Sequence, residues 1–325
     1  MEETAERGGS IETGMARIVF MGTPDFAVPC LQKLIDAGSE IPLVVTQPDR
    51  PSGRGKKTKP SPVKVLAETF NIPVYQPERL KGEDVIERIA SHGAQCAVVV
   101  AYGKILPRSF LDAFPLGALN VHASLLPRHR GAAPIHRAIL AGDESTGVSI
   151  MLLDEGMDTG PVLSQGEIPI EANDTLGTMH DKLARLGADL LCRTLAEWKA
   201  GTLRPVPQDD AAATYAPPIL KEELRLTWQL PARRIFDTIR AFDPAPGAFG
   251  FYQGRRMKFF DASLLHWKGV GEPGEVVGQT EKGLVVFGND GQALSIGALQ
   301  LEGQRRLPAP DFLRGHPIPP GSRLE

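Results

Sequence analysis

With 325 residues, 42% hydrophobic and 23% charged, and a formal charge of −3, the chain has the composition of an ordinary globular protein long enough for two domains. It holds no apolar run of about eighteen residues or more, which excludes a membrane-spanning helix, and the polar, acidic start MEETAERGGSIETG lacks the apolar centre of a secretory signal. Cys30, Cys96 and Cys192 are too few and too far apart for a disulfide frame or a zinc cluster, and they fit a reduced, cytoplasmic protein.

Residues 1–14 are expected to be a disordered extension, with the fold beginning at Met15 or Ala16. Arg17–Phe20 reads as a buried strand, turned by Gly22-Thr23-Pro24-Asp25 into a helix over Phe26–Ala37. This is a Rossmann-like opening without the G-x-G-x-x-G fingerprint, so a dinucleotide is disfavoured. Ile41–Thr46 is a second strand; after a long loop, Ser61 caps a helix with Pro62 in its first turn. Pro73–Tyr75, a helix over Glu83–His92 and the apolar run Cys96–Ala101 continue the alternation. A strand over Gly117–Val121, a helix near Ile135–Ala141, strands at Gly147–Leu153 and Val162–Ile170, and a long helix over Leu176–Ala200 follow. Strands alternating with helices predict an α/β fold, a doubly wound and mostly parallel sheet covered on both faces.

The texture then changes. Gly201–Pro218, with four prolines and an Asp-Asp-Ala-Ala-Ala stretch, reads as a linker. One helix over Ala232–Ala241 precedes short strand-like runs at Ala248–Tyr252, Arg256–Leu265, Glu275–Gly278, Leu284–Phe287 and Ala293–Leu301, a spacing that predicts a small β-barrel. The last ten residues are expected to be irregular. The domain boundaries are set at 15–202, a linker at 203–220 and 221–325.

The stretch GALNVHASLLPRHRGAAPIH at 117–136 carries the clearest chemistry. Asn120 and His122 stand two apart on a strand, so an amide and an imidazole face the same way where the strand gives out into a loop. In an open α/β sheet that is where ligands bind. A lone histidine there would ordinarily be a satisfied strand-end residue; Asn-x-His followed by Ser-Leu-Leu-Pro argues for more. His122, His129 and His136 recur every seven residues but cross strand, loop and helix with no cysteine partners, so no metal site is expected.

The stretch NVHASLLPRHRGAAPI resembles the signature of the folate-dependent formyltransferases, above all the branch that formylates the methionine on initiator tRNA. MGTPDFAVP, TQPDRPSGRGKK, PSPVKVLA, VVVAYGKILP, TGVSIMLLDEGMDTG and TYAPPILKEE support it in family order, from about residue 17 to beyond 220. The resemblance implies a Rossmann-like catalytic domain, an OB-like second barrel that binds tRNA, and 10-formyltetrahydrofolate as donor. Formyl transfer to an amine builds an oxyanion and releases a proton, so the site needs a hydrogen-bond donor and proton management. By resemblance Asn120, His122 and Asp158 are the catalytic residues, with the carboxylate favouring a protonated imidazole. Asp158 alone would read as a turn residue in Asp-Thr-Gly; Asp154 and Glu155 nearby are taken as structural or solvated.

Ser124, Leu125, Leu126 and Pro127 match the folate-contacting segment, with Val98–Tyr102 and Ile105–Leu106 as further lining candidates. The loop from Gln47 to Lys64 sets Arg50, Arg54, Lys56, Lys57, Lys59 and Lys64 against Asp49 alone, a pattern that orders on a phosphate ligand. In the family this loop enters the acceptor arm of initiator tRNA, with Arg54 at its key position. The chain departs from the family pattern after Tyr-Ala-x, where Pro218 replaces a lysine; this sets apart one linker contact to RNA and leaves the chemistry untouched. From Pro218 onward fourteen Lys or Arg meet twelve Asp or Glu, and Arg233, Arg234, Arg255, Arg256, Lys258, Arg305 and Arg306 form local pairs open to an RNA backbone. The competing readings are the same chemistry on a small amine (glycinamide ribonucleotide or a nucleotide-linked amino sugar) and a catalytically dead tRNA-binding protein. A monomer is expected.

Overall fold

A computed structural model describes residues 16–52, 57–267 and 269–325. The expected extension at 1–14 lies outside the described residues. The contacts divide the chain into two compact units: residues up to 121 with 150–155 and 188–205, and 122–149 with 156–187 and 206–325.

The chain alternates strand and helix at first: β1 (Arg17–Gly22), α1 (Val28–Asp36), β2 (Glu40–Val45), a hairpin of β3 (Arg50–Ser52) and β4 (Lys57–Lys59), α2 (Pro62–Thr69), β5 (Val74–Tyr75), α3 (Glu83–Ala90), β6 (Cys96–Val100), α4 (Arg108–Leu111) and β7 (Ala118–His122). Then come α5 (Pro134–Ala141), β8 (Ser145–Leu152), β9 (Val162–Pro169) and the long α6 (Leu176–Lys199). The main sheet has the order β5-β2-β1-β6-β7-β8-β9, and its first five strands pair in parallel. All five residues of β6 are buried, as expected of a strand covered on both faces, and β1 is almost as dry. Where a dinucleotide fold would place its glycine fingerprint, Gly22 ends β1 in a close approach: a Cβ there would lie 2.8 Å from the Ala27 Cβ and 3.0 Å from the Val100 oxygen.

The second sheet is antiparallel. Following α7 (Ala232–Ala241), it comprises β10 (Ala248–Tyr252), β11 (Arg255–Leu265), β12 (Val276–Thr280), β13 (Gly283–Phe287), β14 (Ala293–Leu301) and the short β15 (Leu307–Pro308), ordered β10-β11-β14-β13-β12 with β15 on β14. Trp228, Phe236, Phe242, Phe259 and Phe312, the last from α8 (Ala309–Gly315), fill its interior. The last ten residues form no helix or strand, as expected, yet their end is pinned by the barrel. Phe251 and Glu325 exchange backbone hydrogen bonds of 2.7 and 2.8 Å, while Val276 donates to Ser322 and Leu324 to Gly274. Segment 322–325 thus closes the sheet between its two edge strands, which removes exposed edges.

Within the stretch read as a linker, several backbone groups are paired. Residues 214–216 run beside 127–133: Arg130 donates to the Thr214 carbonyl, Ala216 to Arg130 and Ala133 to Ala216. Val162 and Val206 exchange two backbone hydrogen bonds of 2.8 Å. Proline-rich composition hid a segment whose backbone groups are satisfied by specific partners.

Candidate active site

β7 carries Asn120 and His122 on one face, two residues apart, with Leu119 and Val121 pointing into the core on the other. Asn120 is half-buried, and its side-chain amide makes no hydrogen bond to any described residue. A half-buried amide without a protein partner is available to a ligand.

His122 is held differently. Its ring is buried and Nε2 lies 3.0 Å from the carbonyl oxygen of His129. A carbonyl only accepts, so Nε2 carries a hydrogen, and in the neutral ring Nδ1 presents its lone pair. Nδ1 faces the Asp158 carboxylate, with Oδ2 at 3.6 Å, beyond hydrogen-bond range. Side-chain exposures of 7% and 17% shelter this pair from bulk water. Long contacts of this kind before substrate binds are usual for acid–base groups.

Asp158 adopts φ 55°, a left-handed conformation that Asp tolerates better than most residues. Its Oδ2 accepts from the Gly131 backbone N–H at 2.8 Å. Gly131 itself stands at φ +119°, and a Cβ there would come within 2.8 Å of the Ala216 oxygen. Only glycine lets the loop deliver its N–H to the carboxylate while the neighbouring segment lies this close. Sequence reasoning missed this glycine; its signal was its place in Arg-x-Arg-Gly-Ala-Ala-Pro ahead of α5.

The candidate folate segment is firmly built. Ser124 Oγ donates to the Arg128 carbonyl at 2.6 Å, Ser149 Oγ donates to the Ser124 carbonyl at 2.7 Å and Leu126 N–H donates to Ser149 Oγ at 3.0 Å. Leu126 is buried, while Leu125 and Pro127 are half-exposed and present apolar surface. Among the further lining candidates, Val98–Val100 are core, Tyr102 is buried and Ile105 is 90% exposed. Asp154 and Glu155 are exposed.

The three histidines do not converge. His129 pairs with Asp143 at 2.8 Å and His136 lies beside Phe242. Among the described residues no group of His, Cys, Asp and Glu could hold a metal ion.

The basic loop proves to be a hairpin in which Arg50 stands opposite Lys59, both exposed. Like charges directly across a ladder are unfavourable unless an anion lies between them. Lys64 is engaged otherwise, at 2.6 Å from Asp49, and the Lys64 and Gln76 hydrogen bonds hold the Asp49 carboxyl below its ordinary range. Lys57 lies on β4 opposite Ser52, and Arg54 and Lys56 lie outside the described residues. In the barrel domain, Arg233 and Arg306 pair with Asp237 and Asp243, Arg234 and Lys258 bind backbone carbonyls, and Arg256 stacks on Phe249. Of the seven cations singled out there, Arg255 and Arg305 are exposed with no side-chain partner of any kind among the described residues.

Residues 16–195 match the formyl transferase family, and 218–317 match its C-terminal domain. The chain belongs to the formyl transferase family. It is 45% identical over 301 residues to the methionyl-tRNA formyltransferases of Staphylococcus aureus strains JH1 and N315, covering 93% of this chain and 96% of each of theirs. Among solved structures it resembles HypX from Aquifex aeolicus in complex with tetrahydrofolic acid (17% identity, TM-score 0.65, 92% of this chain and 47% of that one). It also resembles WlaRD, a sugar 3N-formyl transferase (19% identity, TM-score 0.65, 90% and 99%). The chain spans about half the length of HypX, and at these identities the likeness is one of fold.

Proposed function

We propose that this chain transfers the formyl group of 10-formyltetrahydrofolate to the α-amino group of methionine on initiator tRNA. The observation that carries the reading is the 45% identity extending over nearly the whole of this chain and of the methionyl-tRNA formyltransferases, barrel domain included.

The folate supplies the formyl carbon and takes back an electron pair on its nitrogen as it leaves. Asn120, whose amide has no partner among the described residues, donates a hydrogen bond to the oxyanion that develops on the formyl oxygen. His122, fixed through Nε2 by the His129 carbonyl, turns Nδ1 to the site. Asp158 balances the charge of that ring when Nδ1 takes a second proton, and in that state it can accept a hydrogen bond from Nδ1. Buried surroundings strengthen these interactions relative to water. Ser124–Pro127 hold the donor by apolar contact through Leu125 and Pro127, and the half-exposed faces of these two residues fit an apolar ring.

Arg50, Arg54, Lys56, Lys57 and Lys59 contact phosphates of the acceptor arm; the unrelieved Arg50–Lys59 juxtaposition supports this. We assign residues 15–202 to formyl transfer, 203–220 to the linker and 221–325 to tRNA binding, with 1–14 as an extension. The protein works as a monomer in the cytoplasm, where its three free thiols stay reduced.

The test offers the enzyme 10-formyltetrahydrofolate with charged initiator tRNA, glycinamide ribonucleotide or a nucleotide-linked amino sugar. Formylation of the charged tRNA alone is the expected result. Turnover of a small amine in its place would leave the chemistry and overturn the RNA assignment; tRNA binding without turnover with any acceptor would overturn the enzyme reading.

A further inference from the structure

We infer that Gln208 is a positioning residue for Asp158, and that Arg130 sets Gln208 in place. The inference rests on the reading of Asp158 as catalytic.

One side-chain amide brackets the Asp158 loop. Gln208 Nε2 donates to the Asp158 carbonyl at 2.9 Å and to the Gly160 carbonyl at 2.7 Å. Both hydrogens of that amide are engaged, and they span the three residues that set the direction of the Asp158 side chain. The Gln208 oxygen accepts from Arg130 Nε at 3.0 Å. A guanidinium only donates, so the amide has a single satisfactory orientation, with nitrogen toward the loop.

Arg130 is 2% exposed and its outer nitrogen binds Asp210 at 2.8 Å. Asp210 has a side-chain exposure of 84%, so this pair recovers little of the cost of burying a guanidinium. The arrangement fits a cation kept for geometry. The residue after Arg130 is Gly131, whose N–H binds the Asp158 carboxylate. Asp158 is therefore gripped at both ends from the same two segments: its carbonyl by Gln208 and its carboxylate by Gly131. The paired hydrogen bonds between Val162 and Val206 fix the register that lays Gln208 over the loop. A left-handed Asp158 needs such over-determination to persist.

Gln208→Met keeps the length of the side chain and removes all three hydrogen bonds. Gln208→Glu keeps an acceptor for Arg130 and sets an oxygen against two carbonyls. Both are measured with 10-formyltetrahydrofolate and initiator methionyl-tRNA, in the wild-type and Asp158→Asn backgrounds. Displacement of a reacting group by about 1 Å predicts a kcat loss of roughly 10- to 100-fold in both variants, with KM for either substrate within about threefold. In the Asp158→Asn background the same Gln208 changes should cost less than about threefold, because the two residues act as a unit. Amide hydrogen exchange across 157–160 should quicken in Gln208→Met while β10–β14 are unchanged. An equal loss in both backgrounds, a loss confined to KM, full activity, or unaltered exchange in the loop would each overturn the inference. If the unaltered protein formylates no acceptor, the proposed function falls, and the exchange measurement still decides whether Gln208 holds the loop.

Discussion

Replacing Gly131 by alanine tests the geometry of the candidate site with the smallest change available. The added methyl would sit 2.8 Å from the Ala216 oxygen at φ +119°, and that oxygen already accepts from Ala133 N–H at 3.1 Å. Alanine has no χ angle with which to escape, so either the 128–133 loop or segment 214–216 must move. Strain at such a φ costs about 1–3 kcal/mol. If the loop yields, the Gly131 hydrogen bond to the Asp158 carboxylate goes with it, a charge-assisted bond of about 1.5–3 kcal/mol. The combined loss of roughly 2.5–6 kcal/mol is smaller than most of the usual range of about 5–15 kcal/mol for a domain, so the protein should still fold. Its kcat should drop by about 10²-fold, as for any displacement near 1 Å at the chemistry. Urea unfolding and steady-state formyl transfer measure both. An unchanged urea midpoint together with a kcat within about twofold of the unaltered protein would refute the claim that this backbone approach sets Asp158.

Asn120→Ala should lower kcat by about 10²–10³-fold with KM for the folate nearly unchanged, because the amide is assigned to the oxyanion; a loss confined to KM would assign it to binding instead. Arg50→Ala with Lys59→Ala should make the slope of log affinity against log salt shallower by roughly 1.4–1.8, and an unchanged slope in tRNA titrations would remove both from the phosphate contacts. Burial pushes the His136 ring below its ordinary value, with the Arg137 cation adding to the shift and Glu223 opposing it. Its stabilising contribution is therefore complete above about pH 6.5 and lost as pH falls from there toward the folded-state value. His136→Gln should flatten the pH dependence of the urea midpoint in that window, and parallel curves would show the ring to be indifferent.

Much of this architecture could be read from residues alone, for local reasons. Ala232–Ala241, Ala248–Tyr252 and Ala293–Leu301 have the bounds expected of them, each an amphipathic or apolar run fenced by glycine or proline. Ser61 caps α2 through the Lys64 N–H, as Ser-Pro before an apolar run suggests. Other features depend on partners far along the chain. Nothing in PGSRLE announces that this irregular end pairs its backbone with Phe251 and Gly274. The hairpin at Arg50–Lys59 hid behind proline, glycine and lysine, which speak against strands. The Asn-x-His pair was legible because both residues sit on one strand. The grip on Asp158 was not, since Gln208 meets it from fifty residues away in a segment whose composition reads as linker.

The most direct measurement is formyl transfer from 10-formyltetrahydrofolate to methionyl-tRNA, with charged initiator and elongator tRNAs run side by side, for the unaltered protein and Asp158→Ala. The account predicts formylation of the initiator species and its loss in Asp158→Ala by about 10²-fold or more. Undiminished turnover in Asp158→Ala, or no formylation of either tRNA, would contradict it.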